Sequence, residues 1–213
     1  MNATAILPVK RFGAAKQRLA TGVSRERRAT IVAAMLEDVL EAIGATHLVE
    51  RTIVVTSEPR AVELATAAGC EIVADPEEGG HSGAALAGMA RARELGAECA
   101  LLLPGDCPLL DPRELERLLT GLPGSYAAIV PDRHGTGTNA LALAPPDAIA
   151  PAFGEGSCAR HVAAAREAGV PHSVEELPSL ALDLDTPADI VAFTRAVEAD
   201  RSRARRTARA LGI

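Results

Sequence analysis

Three carboxylates and one run of cations are the residues whose types and spacing could do chemistry. Asp106 stands in Pro104-Gly105-Asp106-Cys107-Pro108-Leu109, and Asp183 and Asp185 stand in Asp183-Leu184-Asp185-Thr186-Pro187. Each set follows a short apolar stretch, Ala100 to Leu103 and Leu180 to Leu182, that reads as a strand. In open α/β sheets ligands gather outside the carboxyl ends of the strands. Period-two alternation puts Asp183 and Asp185 on the same side of an extended segment, so the three converge if the two strands are near neighbours. Carboxylates gathered in this way repel one another, and a divalent cation relieves the repulsion. Oxygen donors without His or Cys favour Mg²⁺ or Mn²⁺ over Zn²⁺. A plainer reading stands beside this one. Asp106 closes a turn, and the other two cap the next helix, which accounts for Asp185 better than for Asp183.

The cations lie in Lys10-Arg11-Phe12-Gly13-Ala14-Ala15-Lys16-Gln17-Arg18-Leu19, a loop with four positive charges and no acid. Like charges repel, so such a loop gains from an anion, although a solvated surface loop can also be basic. Thr136, Thr138, Gly154, Gly156 and Ser157 offer hydroxyls and backbone N–H groups, and the N-terminus of the helix after Ser157 favours an anion. Two anion sites with a cation between them suit the transfer of one phosphorylated group onto another. His134 and His161 lie near these loops and read as surface or packing residues.

These residues need a frame that holds them at one edge. Thr4 to Val9, Thr52 to Thr56, Cys70 to Ala74 and Ala100 to Leu103 read as strands, and helices are expected over about 24–44, 60–68 and 82–95. Ile31, Val32, Met35, Leu36, Val39, Leu40 and Ile43 form one apolar stripe at helical spacing. Asp111-Pro112-Arg113-Glu114 opens a further helix, with Asp at the N-cap and Pro at the first helical position. Alternation of strand and helix over the first 120 residues indicates a mostly parallel, Rossmann-like sheet with helices on both faces. Beyond Pro123-Gly124 come strands at Tyr126 to Val130 and Ala140 to Ala144, a helix over about 158–168, the short strand Leu180 to Leu182, and a helix from Pro187 to Ala199.

The 213 residues, 48% of them hydrophobic, suffice for one core, and we assign 1–200 to a single domain and 201–213 to a basic C-terminal extension. Five arginines and no acid occupy that extension, so the rest of the chain stands at −11 against a total of −6. The extension reads as a solvated helix, or less simply as a contact for an acidic partner. The negative balance argues against broad nucleic-acid binding. Four scattered cysteines without a Cys-x-x-Cys pair fit thiols in a reducing compartment, and no stretch reads as a signal peptide or a membrane span, so a cytoplasmic protein is expected.

Five motifs in order resemble one family: Pro8-Val9-Lys10 with Ala15-Lys16-Gln17-Arg18-Leu19; Pro104-Gly105-Asp106-Cys107-Pro108-Leu109; Gly137-Thr138-Asn139-Ala140-Leu141; Phe153-Gly154-x-Gly156-Ser157; and Asp183-Leu184-Asp185-Thr186-Pro187. Together they are similar to the guanylyltransferases of coenzyme F420 biosynthesis, which act on phosphoenolpyruvate or 2-phospho-L-lactate. The second and last motifs are common to many nucleotidyltransferases, and the other three are more specific. The match spans nearly the whole chain except the arginine tail.

The resemblance implies an α/β nucleotidyltransferase, a three-layer sandwich like the nucleotide-diphospho-sugar transferases with a mostly parallel mixed sheet. It implies an enzyme that joins GMP from GTP to a phosphorylated three-carbon acid, releases pyrophosphate and can hand its product to the next transferase of the pathway. By the same resemblance Lys16 and Arg18 contact the GTP phosphates with Lys10 nearby. Asp106, Asp183 and Asp185 hold Mg²⁺, and Thr138, Gly154 and Ser157 bind the acid. Asp106, Lys16 and Arg18 are the residues expected to carry catalysis. An Ala- and Arg-rich composition is bacterial in style, and bacterial members lean towards phosphoenolpyruvate. The alternatives are a 2-phospho-L-lactate guanylyltransferase, a nucleotidyltransferase for a sugar phosphate or a molybdopterin-type acceptor, and a nucleotide-binding module without chemistry. One stretch departs from the pattern: His81-Ser82-Gly83-Ala84-Ala85-Leu86 stands where the family commonly reads Gly-Leu-Asn-Ala-Ala-Leu.

Overall fold

The first strand, β1 (Ala3–Val9), is buried along its whole length and lies near the middle of a seven-stranded sheet. Its side chains alternate between two cores: Ala5, Leu7 and Val9 face one, and Ile6 faces the other. The coordinates are a computed structural model that describes residues 3–13, 24–75 and 80–213. Lys16 and Arg18 lie outside the described residues.

After β1 come α1 (Arg25–Gly44), β2 (Val49–Thr56), α2 (Pro59–Ala67), β3 (Glu71–Val73), α3 (Gly80–Glu94), β4 (Cys99–Leu102) and α4 (Pro112–Leu119). The second half holds β5 (Tyr126–Pro131), β6 (Thr138–Ala144), α5 (Ser157–Glu167), β7 (His172–Val174), α6 (Pro187–Ala199) and α7 (Arg205–Leu211). The sheet order is β3-β2-β1-β4-β6-β5-β7. β1 pairs in parallel with β2 and β4, β2 with β3, and β5 with β7, whereas β6 runs antiparallel to both β4 and β5. That reversal brings the start of β6 to the edge where β1 and β4 end.

One core packs α1, α4, α6 and α7 on the sheet through Met35, Leu36, Leu115, Phe193 and Ala208, and the other packs α3 and α5 through Ala85, Met89 and Ala165. The result is the expected three-layer α/β sandwich with a mostly parallel mixed sheet. Local chemistry sets the helix starts as read: Ser24 caps α1, Asp111 caps α4 ahead of Pro112, and Pro187 opens α6.

Two expectations are corrected. Leu180 to Leu182 is no strand: Pro178–Leu180 forms a 3₁₀ turn, and the seventh strand is His172–Val174. Pro178 lacks an N–H for a ladder, and the Leu180 carbonyl accepts from Asn139 and Cys107 side chains instead of from a neighbouring strand. Nor is the arginine tail wholly solvated. Ala204, Thr207 and Ala208 are buried, and α7 packs on α1. The buried Asp38 carboxylate of α1 accepts from the Arg206 and Thr207 amides at 3.2 and 2.8 Å, and Arg206 also pairs with Glu37 and Glu41. The acidic partner of the tail is the chain's own first helix.

Candidate active site

β4 ends at Leu102, and Pro104-Gly105 carries the chain over the sheet edge to Asp106. The segment bearing the other two carboxylates is fastened beside it by a series of bonds. The Leu180 carbonyl accepts from the Asn139 side-chain amide at 2.6 Å and from the Cys107 thiol at 3.7 Å. Four residues on, the Leu184 N–H donates to the Asp106 carbonyl at 3.2 Å. The Asp185 and Thr186 amides then donate to Asp189 Oδ2 at 3.0 and 2.7 Å, and the Thr186 hydroxyl does so at 2.9 Å. Asp183 and Asp185 therefore flank Leu184, which bonds to the Asp106 backbone. Adjacency arises from hydrogen bonding between irregular segments, in place of the strand pairing inferred from sequence.

Asp189 is an organiser that sequence reasoning missed. It is 1% exposed, and Arg133 Nη1 from the β5–β6 loop reaches its Oδ1 at 2.5 Å. Burial alone would raise its pKa, but bonds from Thr186 and Asp185 and the Arg133 guanidinium together pull it below the usual carboxylate value. The sequence signal was present as the third residue after Thr186, a capping-box position. Its second partner lies 56 positions away and carries no local signal.

Among the described residues, no three His, Cys, Asp or Glu side chains are gathered closely enough to hold a cation by themselves. Mg²⁺ is commonly held by one or two carboxylates with substrate phosphates and waters completing the octahedron. Asp106 with the neighbouring Asp183–Asp185 segment fits that pattern, as a hard, oxygen-only donor set.

A cavity of about 210 Å³ is lined by Val9, Lys10, Val32, His81, Gly105 and Asp106 among others. Lys10 is exposed where β1 ends, and His81 lies in the first turn of α3. Burial lowers the pKa of His81; Asp106 opposes this and Lys10 adds to it. A cleft of about 880 Å³ between Phe12, α1 and α7 carries none of the described site residues.

The third group lies where α5 begins. Gly154 and Gly156 have φ of +110° and +70°, a region in which a side chain is strained. Arg160 braces this turn by donating to the carbonyls of Ala152, Phe153 and Glu155. The Ser157, Cys158 and Arg160 amides already donate to the carbonyls of Gly154, Thr136 and Gly156. The helix start thus offers fewer open N–H groups than sequence suggested, and its hydroxyl matters more. Ser157 is 1% exposed, and its Oγ has no hydrogen-bond partner among the described residues. One turn on, the buried His161 contacts Thr138 Oγ1 through Nδ1 at 3.0 Å and accepts the Ala152 N–H at Nε2 at 2.8 Å. Burial, then the Arg160 charge, push its pKa down to about 4. Thr138, Gly154 and Ser157 are thus brought together, around a histidine read from sequence as packing.

A bridge joins the two halves. The Phe153 N–H donates to Ser82 Oγ at 3.0 Å, and the Phe153 ring meets His81 and His161 edge-on, with centroids at 5.0 and 5.3 Å.

A family model described as "Guanylyl transferase CofC like" matches residues 3–212. The chain is 47% identical over 210 residues to a phosphoenolpyruvate guanylyltransferase of Conexibacter woesei, covering 97% of this chain and 94% of that protein. It is 41% identical to a protein of the same name from Sphaerobacter thermophilus, over 89% of this chain and 91% of the other. A 3-phospho-D-glycerate guanylyltransferase of Phenylobacterium zucineum is 38% identical, over 91% and 90%. In fold, the chain resembles a Desulfovibrio desulfuricans protein assigned to the nucleotide-diphospho-sugar transferases, with a TM-score of 0.74 at 17% identity over 93% of this chain and 88% of that one. A nucleotidyl transferase from Methanothermobacter thermautotroptrophicus superposes with a TM-score of 0.61 at 22% identity, over 91% and 96%.

Proposed function

This chain belongs to the CofC-like guanylyl transferase family, and on that premise we propose that it transfers GMP from GTP to phosphoenolpyruvate. The products are pyrophosphate and enolpyruvoyl-2-diphospho-5'-guanosine, which a later transferase of coenzyme F420 assembly would consume. The observation that carries this reading is that the cavity lined by Lys10, His81 and Asp106 is tied to the glycine-shaped turn before Ser157. The Phe153 contacts with Ser82, His81 and His161 make that link.

A phosphate monoester is ionised at neutral pH, so an oxygen of the acid's phosphate can attack the α-phosphorus of GTP without a general base. An O–P bond forms at the α-phosphorus as the bond to the β,γ-pyrophosphate breaks, and pyrophosphate carries away the negative charge. Two polyanions must be aligned and their repulsion screened. Lys10, with Lys16 and Arg18, holds the triphosphate, and Thr138, Gly154 and Ser157 hold the carboxylate end of the acid. Asp106, Asp183 and Asp185 would hold Mg²⁺, which when bound supplies further screening and polarises the phosphoryl oxygens. The reaction belongs in the cytoplasm, where both substrates are made and the free cysteines stay reduced.

Parallel assays with GTP, Mg²⁺ and each acid test the proposal. Pyrophosphate release is expected with the highest kcat/KM for phosphoenolpyruvate. A value tenfold higher for 2-phospho-L-lactate or 3-phospho-D-glycerate, about 1.4 kcal/mol in transition-state binding, reverses the choice of acid. No release with any of them, despite GTP binding, makes the chain a binding module.

A further inference from the structure

The buried pair Thr138 and His161 has a hydrogen-bond polarity that the surrounding backbone fixes. A backbone N–H can only donate, so the 2.8 Å bond from the Ala152 amide requires a lone pair on His161 Nε2. A neutral imidazole with a bare Nε2 carries its proton on Nδ1. The Nδ1–H then donates to Thr138 Oγ1 across 3.0 Å. With that lone pair filled by His161, the hydroxyl hydrogen of Thr138 is left to turn away from the histidine. His161 is fully buried, stacked edge-on against Phe153, and cannot easily turn its ring over. We propose that His161 is a positioning residue that locks the Thr138 hydroxyl as a donor towards the acid substrate, and that the Ala152 amide sets this polarity.

The proposal rests on the reading that Thr138 lines the acceptor site. An anion offers acceptors only, so a threonine that spent its hydrogen on the histidine would face the anion with lone pairs and repel it. The depressed pKa of His161 keeps the ring neutral through the neutral pH range, so the polarity does not lapse there. The same ring touches the turn at Ala152 that leads into Gly154, so one side chain aligns two parts of the acceptor pocket.

Asparagine and glutamine at position 161 separate the two bonds. His161→Asn can place an N–H where Nδ1 stood and keep the donation to Thr138. His161→Gln can place a carbonyl where Nε2 stood and keep only the bond from Ala152. Steady-state kinetics with phosphoenolpyruvate, GTP and Mg²⁺ should show the acid's KM raised about tenfold or more in His161→Gln and within about threefold of the native value in His161→Asn, with the KM for GTP unchanged in both. Equal effects of the two variants on the acid's KM, or an equal rise in the KM for GTP, overturn the proposal. Nitrogen-15 NMR of the unaltered protein at pH 7 gives a readout that needs no variant to fold. A protonated Nδ1 and bare Nε2 are expected, and a proton on Nε2 overturns the assignment. Thr138→Ala probes the underlying reading. An unchanged KM for the acid overturns that reading and this inference with it. A raised KM in Thr138→Ala beside a native-like His161→Gln overturns the inference alone.

Discussion

The Leu184 amide donates to the Asp106 carbonyl at 3.2 Å, and this bond holds Asp183 and Asp185 against the end of β4. The bond joins backbone atoms, so a side-chain substitution at Asp106 leaves it intact. Asp106→Asn should keep the fold and melting temperature while kcat falls at least ~100-fold. Chelation of Mg²⁺ should abolish turnover in the native protein. Circular dichroism with a pyrophosphate-release assay checks both, and full turnover by folded Asp106→Asn would remove Asp106 from the site.

Lys16→Ala should weaken GTP binding by about tenfold at low salt, with the deficit shrinking as salt rises, because the contact is chiefly Coulombic. Titration calorimetry at two ionic strengths measures it. The same GTP Kd in variant and native protein would move the triphosphate away from this loop.

Arg133 is the charged partner of the buried Asp189, and Asp189 in turn fixes the amides of Asp185 and Thr186. Removing one partner of a buried pair leaves an uncompensated charge. Because Arg133 is 35% exposed, water repays part of that cost, and Arg133→Ala should lose about 1–2 kcal/mol. It should also raise the Mg²⁺ concentration needed for half-maximal rate, since the Asp183–Asp185 segment is less firmly set. Urea melts and a Mg²⁺ titration report the two effects separately.

His161 has an ordinary pKa of 6.5 when unfolded and one of about 4 when folded. Between those values the unfolded chain binds the extra proton and the native protein does not, so stability rises with pH across that window and is lost as pH falls through it. The difference is on the order of 3 kcal/mol. Half-buried His81 acts in the same direction. Denaturant unfolding at pH 4.5 and 7 should show a smaller difference for His161→Asn than for the native protein. Identical pH dependence in the two would show that His161 does not titrate in this way.

Asp38→Ala should release α7, because the carboxylate it removes accepts the Arg206 and Thr207 amides. A loss of about 2 kcal/mol and early proteolysis within 201–213 are expected. Mass spectrometry of a limited digest reads this directly.

What the sequence disclosed divides by distance along the chain. α6 was legible to the residue, since Thr186 and Pro187 signal its start locally, and β4 was legible because Ala100 to Leu103 is apolar on both faces. β7 was not: His172-Ser173-Val174 has no apolar pattern and is a strand only because β5 lies beside it. Leu180 to Leu182 misled for the opposite reason, as its apolar residues are near or in a core without any strand pairing. At the candidate site, Thr138 and Ser157 stood out in the sequence by motif and hydroxyl chemistry, and the structure places Thr138 against His161 and Ser157 one turn before it in α5. His161, Arg133 and Asp189 act through partners 23 or 56 positions away, and a residue type alone does not specify such a partner.

The reversed direction of β6 also bears on how this fold diversifies. The residues proposed to hold the acid sit at the tip of the β5–β6 hairpin and the turn before α5, outside the parallel β1–β2–β4 unit that carries Lys10 and Asp106. A hairpin tip can lengthen, shorten or change composition without shifting the register of the strands beneath it. Under the proposed function, descendants of one ancestor can therefore exchange one phosphorylated acid for another by drift within 136–138 and 152–157, while keeping Arg133, which holds Asp189, and the parallel strands beneath.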